Sequence, residues 1–341
     1  MRAFEYVRAA TVDEALTQQA QPAAAKSAHH AAAAPLNGRR FLAGGTDLLT
    51  LMKADVVTPS VLVDLKRAED LPGGIQESAD ELTIGALTTL SEIEHHPAIR
   101  RRYAALAEAV SEAATPQLPN MATIGGNLLQ RPRCWYFRSR LFHCWLKGGA
   151  ECQARDGENQ HHAILGESPC VAVHPSDAAA ALVALGASVR LRGPSGERTI
   201  LVEELFAEPT EQRRTETTLQ DGELLLDVRV PAPSRNGRSV YLKAMDRKVW
   251  AFALVGVAAV VELDGDRVSD ARLVLSGVAP IPWRARAAEQ ALIGQSATPE
   301  TFVRAADTAV QGAQSLEQNG YKAPLARSLI ARALSEAIAS P

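Results

Sequence analysis

The stretch RFLAGGTDLLTLMKADVVTPSVLVDL, residues 40–65, constrains the fold of this chain more than any other. Phe41 to Ala43 read as a short strand, Asp47 onward as an apolar-periodic helix, and SVLVDL as a second strand. The pair Gly44–Gly45 therefore falls at a strand-to-helix turn. Lacking a Cβ, these residues let the backbone take unusual dihedrals and come close to a ligand. The helix start beyond them offers unpaired N–H groups and a positive dipole end, which suit a phosphate. Thr46 adds a hydroxyl donor. An ordinary tight turn, with Asp47 capping the helix, accounts for the same residues without a ligand.

A second stretch, ATPQLPNMATIGGNLLQ, repeats the device. Gly125 and Gly126 follow a short β-branched pair and precede an apolar run, with Thr123 and Asn127 as polar neighbours. Two such loops can grip two ends of one pyrophosphate. Neither matches the G-x-G-x-x-G fingerprint, and there is no G-x-x-x-x-G-K-[ST] P-loop. A Rossmann domain is not supported.

With 341 residues, the chain is long enough for two or three domains. Its 46% hydrophobic and 22% charged residues are those of an ordinary globular protein. A formal net charge of -3 gives no electrostatic case for a nucleic-acid partner. No apolar run approaches the roughly 20 residues that membrane insertion needs. The start, MRAFEYVRAATVDEAL, lacks the apolar core of a secretory signal. The expected compartment is cytoplasmic, or periplasmic if a partner's signal carries the chain out. Thr11 and Glu14 have capping-box spacing at the start of a first helix. The alanine-rich run QPAAAKSAHHAAAAPLNG reads as a helix extension or surface insert. Its His29 and His30 have nothing nearby to complete a metal set.

All four cysteines, Cys134, Cys144, Cys152 and Cys170, fall within 37 residues. A disulfide pair, a zinc site and an iron–sulfur cluster compete to explain them. Cytosolic reductants argue against disulfides. The intervals of nine, seven and seventeen residues contain no C-x₂₋₄-C pair of the kind structural zinc uses. The compact ferredoxin run C-x₂-C-x₂-C is missing too. Spacing alone names no ligand set, and four independent buried cysteines stay open as a reading.

FLAGGTDLL together with MATIGGNLLQ resembles the paired pyrophosphate loops of the FAD-binding, or medium, subunits of the xanthine dehydrogenase family of molybdenum hydroxylases. Further resemblances follow in the same order: HPSDAAAALVALGASVRL, LQDGELLLDVRVPAP, YLKAMDRKVWAFALVGVAAVV as a strand and following helix, then LVLSGVAPIPWRARAAEQAL and YKAPLARSLIARAL. They span nearly the whole chain, the alanine-rich run excepted. The resemblance implies an α+β fold: two FAD-binding subdomains of the vanillyl-alcohol-oxidase type and a C-terminal α/β domain of the CO dehydrogenase flavoprotein type. The expected divisions are 1–65, 66–232 with a cysteine-rich insert at 131–172, and 233–341. PAPSRNGRS is punctuated as a boundary before the third.

Residue roles carry over position by position. Arg40, Phe41, Leu42, Ala43, Gly44, Gly45, Thr46, Asp47 and Leu48 would wrap the pyrophosphate of FAD, mostly through backbone N–H groups. Thr123, Gly126 and Asn127 would complete phosphate and ribityl contacts. Asp177 would hydrogen-bond near the flavin, or cap its helix. Lys243 would stand near the isoalloxazine carbonyls, where a cation stabilises reduced flavin. Trp250 reads as core. Pro119 departs from the family, whose members commonly have arginine there, and removes one cation near the phosphates.

A subgroup of the family, including periplasmic aldehyde oxidoreductases and 4-hydroxybenzoyl-CoA reductases, carries a four-cysteine insert that binds a [4Fe–4S] cluster. LLQRPRCWYFR and CVAVHPSD most resemble the aldehyde oxidoreductase type. This implies Cys134, Cys144, Cys152 and Cys170 as cluster ligands. Trp135, Tyr136 and Trp145 would shield them, and Arg131, Arg133, Arg138 and Arg140 would neutralise charge or form surface; His161 and His162 would bond locally. The chain would then pass electrons within a complex. A molybdenum-cofactor large subunit would oxidise an aldehyde or N-heterocycle, and a [2Fe–2S] small subunit would deliver electrons. A zinc-bearing interaction subunit without flavin and a free-standing FAD oxidase are the competing readings.

Overall fold

The computed structural model describes residues 1–21, 37–115, 117–247 and 251–339. The alanine-rich run with His29 and His30, and Trp250, fall outside them. Strands β1 (Glu5–Arg8), β2 (Asn37–Leu42) and β3 (Thr58–Asp64) form a parallel sheet in the order β1-β3-β2. Val61, Leu62 and Val63 are buried in succession rather than alternately, because a central parallel strand is covered on both faces. Helix Val12–Ala20 starts as expected, with Thr11 Oγ1 accepting from Glu14 N at 3.1 Å. The Glu14 carboxylate, however, reaches back to Ala10 N instead of Thr11 N.

Strands β4 (Ile75–Glu77), β5 (Glu81–Gly85), β6 (Ser188–Gly193), β7 (Gly196–Leu201) and β8 (Leu224–Pro231) make an antiparallel sheet ordered β4-β5-β8-β6-β7. Helix Asp177–Ala184 is buried at all eight positions. Its alanines leave room for close approach to helix Ala104–Ser111 and to the next sheet, so its N-terminus is fixed from several sides.

That sheet comprises β9 (Gly237–Ala244), β10 (Val255–Asp264), β11 (Arg267–Ser276) and β12 (Trp283–Arg284), antiparallel in the order β12-β11-β10-β9. Here one expectation is corrected. The segment after Lys243, anticipated as a helix, is strand β10, paired to β9 and β11. Val255, Val257, Ala259 and Val261 point into one core beneath helices Pro299–Val310 and Lys322–Ala339. A valine-rich run with period two suits a half-covered strand. Among the described residues, no helix is long and apolar enough to cross a membrane.

Candidate functional site

The first glycine loop leaves β2 at Leu42 and enters helix Leu48–Lys53. Gly45 has φ +73°, a conformation in which a Cβ is strained. Gly44 is required for a different reason: a Cβ there would lie 1.7 Å from Met121 O. The two glycine loops therefore touch backbone to backbone. The N–H groups of Gly44, Gly45, Thr46 and Asp47 donate to no acceptor among the described residues. Four successive bare donors at a helix start form an anion-binding concavity. The guanidinium of Arg40, just before them, makes no hydrogen bond or ion pair among the described residues. Burial, helped by the nearby Arg131 charge, lowers its pKa to about 10.

Asp47 does not cap the helix. Its Oδ2 accepts from Arg131 N at 2.9 Å, and its Oδ1 from Arg133 at 2.7 Å and Arg138 at 2.6 Å. The carboxylate is thus committed to the start of the cysteine segment, and only its backbone N–H faces outward duty. Arg133 and Arg138, anticipated around the cysteines, converge on Asp47 instead. Arg140 is exposed.

The second loop is built differently. Thr123 caps the short helix Ile124–Leu128, its Oγ1 accepting from Gly126 N at 3.2 Å. Ile124 N donates to Thr88 O, Gly125 N to Ala86 O and Asn127 N to Thr123 O. Its backbone donors are spent inside the chain. What it offers outward is the Thr123 hydroxyl proton and the Asn127 amide. Asn127 Oδ1 accepts from the Ser176 hydroxyl. Pro119 is buried in a turn of 3₁₀-helix, Leu118–Asn120, and brings no charge.

Ser176, not Asp177, caps helix Asp177–Ala184, accepting from Ala179 N at 3.0 Å. Asp177 is free for other partners. Tyr241 donates to its Oδ1 at 2.5 Å and Lys243 to its Oδ2 at 2.8 Å, and Lys243 also donates to Glu112 O at 2.7 Å. Burial raises the pKa of Asp177, with the Lys243 charge opposing. The two residues expected separately at the flavin are one buried ion pair.

The four thiols are free and gathered in one place. Burial, then the neighbouring Cys144 and Cys152, raise the pKa of Cys134; burial, then Cys152, raise that of Cys144; and Cys152 shares a hydrogen bond with Cys170. Each sulfur accepts a backbone N–H from two residues downstream: Tyr136, Leu146, Ala154 and Ala172. Burial pushes Cys134 up to about 12, while the Cys170 hydrogen bond pulls Cys152 down to about 6 and leaves Cys170 well above its ordinary value. His162 Nε2 lies 3.2 Å from Cys134 Sγ. A cavity of about 350 Å³ joins these parts, lined by Cys134, His162, His174, Asp177, Phe252 and Gly277 among others. The cysteine segment and Asp177 thus open onto one space.

Residues 2–233 match the family described as the FAD binding domain in molybdopterin dehydrogenase, and residues 240–337 match the CO dehydrogenase flavoprotein C-terminal domain. The chain belongs to the FAD-binding medium subunits of the molybdenum hydroxylases. It is 38% identical over 345 residues to the aldehyde oxidoreductase FAD-binding subunit PaoB of Escherichia coli (strain K12), with 99% of each chain covered. To the carbon monoxide dehydrogenase medium chain of Hydrogenophaga pseudoflava it is 29% identical over 302 residues, covering 87% of this chain and 88% of that one. A solved carbon monoxide dehydrogenase from Hydrogenophaga pseudoflava, lacking the Mo-pyranopterin moiety, superposes with a TM-score of 0.76 at 28% identity, over 99% and 98% of the chains. This medium subunit is the flavin subunit of an oxidoreductase complex.

FAD fits this medium subunit. The bare N–H run, with Arg40 behind it, suits a pyrophosphate. Among the described residues, no group of three or more His, Cys, Asp or Glu side chains stands close enough to hold a metal ion, so the arrangement of the thiols does not itself show a metal site. Sequence reasoning missed several supports of this medium subunit. Arg214 donates to Trp145 O at 3.0 Å and Gly149 O at 2.7 Å and lies over the Trp145 ring. Glu208 accepts from Glu167 N and Ser168 N, just before Cys170. Both come from residues 208–214, and no local pattern marks them. The recurrent N–H bond two residues past each cysteine leaves no residue signature either, because any residue supplies it.

Proposed function

We propose that this chain is the FAD- and [4Fe–4S]-carrying electron-transfer subunit of a heteromeric molybdenum-cofactor aldehyde (or N-heterocycle) oxidoreductase. The carrying observation is the run of four bare backbone donors, Gly44 to Asp47, tied through the Asp47–Arg133 ion pair to a cavity that Arg133, Cys134 and Asp177 line. The 38% identity to an aldehyde oxidoreductase FAD-binding subunit over the full length supports the aldehyde assignment. The partners are a molybdenum-cofactor large subunit and a [2Fe–2S] small subunit. Relatives named medium chains fit that arrangement. The substrate is oxidised on the large subunit, and the electrons leave this chain for an external acceptor.

In this reading FAD supplies the redox chemistry when bound, and the chain's residues place and insulate it. Gly44 to Asp47 hold the pyrophosphate, with Arg40 as the nearby cation and Phe41, Leu42, Ala43 and Leu48 framing the turn. Thr123 and Asn127 add side-chain hydrogen bonds, and Gly126 keeps the approach open. Asp177 and Lys243 fix a buried dipole at the cavity wall. Cys134, Cys144, Cys152 and Cys170 hold the cluster. Burial disfavours ionisation of Cys134 and Cys144, and the Cys152 hydrogen bond together with burial disfavours that of Cys170, while Cys152 is poised to ionise. A bound cluster would supply positive charge that favours all four thiolates. The sheets divide the chain near residues 65 and 232, which supports the divisions 1–65, 66–232 and 233–341.

Metal, sulfide and flavin analysis of the purified complex tests this. The expected result for this chain is one FAD with about four irons and four labile sulfides. One zinc and no flavin spectrum would establish the interaction-subunit reading instead.

A further inference from the structure

Lys322 opens the helix Lys322–Ala339 and is completely buried, at 0% exposure. Its Nζ donates to Gly277 O at 2.6 Å and to His161 O at 3.0 Å. Both acceptors line the cavity that Cys134, His162 and Asp177 share. The ammonium therefore stands directly behind the cavity wall, delivered there from the C-terminal domain. Among the described residues nothing of opposite charge offsets its burial, which lowers its pKa to about 7. Its field crosses the wall and helps keep His161 and His162 neutral. The other lysine of this region, Lys243, is neutralised by Asp177. Asp246 lines the same cavity and acts on His161 and Tyr321, but it is not paired with Lys322.

A buried ammonium without a counter-charge is unfavourable, and a methionine of similar volume avoids the penalty. Such a charge has a use where an anion forms beside it, since fixed charges act strongly in a dry site and need no reorganisation. An anion forms here if the cavity holds the flavin ring, the reading on which this inference rests. Two electrons from the [2Fe–2S] subunit and one proton convert the neutral oxidised ring to an anionic reduced one.

We propose that Lys322 is a positioning residue for the electron balance of the flavin. Its ammonium, pinned by Gly277 O and His161 O, is the counter-charge that favours the reduced ring in this cavity.

Lys322→Gln keeps donors for both carbonyls and removes the charge; Lys322→Arg keeps the charge. Each is compared with wild type in the FAD-loaded complex, by flavin absorbance against a reference dye at pH 6. In Lys322→Gln the ratio of reduced to oxidised flavin at a given potential is expected to fall about tenfold, which is about 30 mV for a two-electron couple. Lys322→Arg is expected to hold the wild-type ratio. The cofactor-free Lys322→Gln chain is expected to melt at or above the wild-type temperature, since a buried charge is gone. An unchanged flavin ratio in folded, FAD-loaded Lys322→Gln overturns the proposal, and Lys322→Met serves the same comparison if the glutamine variant does not fold. A wild-type complex without FAD would instead overturn the functional reading and this proposal with it.

Discussion

The two glycine-pair loops look alike as strings of residues and do opposite things with their backbones. At Gly44–Asp47 four successive N–H groups are left without acceptors, and the one nearby carboxylate is turned away towards Arg133 and Arg138. At Thr123–Asn127 the donors are consumed by Thr88, Ala86 and Thr123 itself. The half-exposed N–H groups of the first loop, at a helix start, are open to water or to an anionic ligand, whereas those of the second loop are not. On the proposed reading the first loop is the binding surface. The second is a wedge that holds the first in shape, since Gly44 rests against Met121 O. A glycine pair alone does not distinguish a cradle from a brace.

Substitutions separate the two roles. The largest effect is expected from Gly44→Val, because a side chain 1.7 Å from a backbone oxygen must part the loops. A loss of roughly 3 kcal/mol is expected, read as a lower denaturation midpoint together with loss of bound FAD. Asp47→Ala comes next. It strands Arg133 and Arg138 and frees Arg131 N, for roughly 2 kcal/mol, and iron content should fall with it because the cysteine segment loses its tie to the first loop. Retained iron in a destabilised Asp47→Ala protein would separate the thiol site from the loop. Thr123→Val removes the cap on the second loop for about 1 kcal/mol. FAD added at a hundred times its dissociation constant should still raise the stability of this variant by about 2.7 kcal/mol. No FAD stabilisation at all would make the second loop a cradle after all. The smallest change is expected from Gly126→Ala, whose Cβ meets only Thr123 Oγ1 at 3.0 Å. About 0.5 kcal/mol is expected, with flavin content unchanged by absorbance.

Much of the site was legible beforehand because local chemistry announces it. The strand–glycine–helix order around Gly44, the placement of HPSD before a helix, and the confinement of four cysteines to one segment are all visible in residue order. The readings that fell depended on distant segments. A helix cap was the ligand-free alternative for both Asp47 and Asp177, yet each has partners far away in sequence: Arg131, Arg133 and Arg138 for one, Tyr241 and Lys243 for the other. Strand β10 was expected as a helix from the family resemblance; valine and alanine runs suit both, and its pairing to β9 and β11 decides the matter.

The sequence by itself determined the family, the two glycine loops, and the set of four thiols, since each is carried by residue identity within a short span. Tertiary structure decided which backbone donors stay bare, which carboxylates are already paired, and that Cys134, Asp177 and the wall in front of Lys322 face one cavity. The physical reason is that a hydrogen bond or ion pair spends a group on one partner. Which partner arrives depends on distant segments, brought together by the packing of helix Asp177–Ala184 and helix Lys322–Ala339 against the sheets.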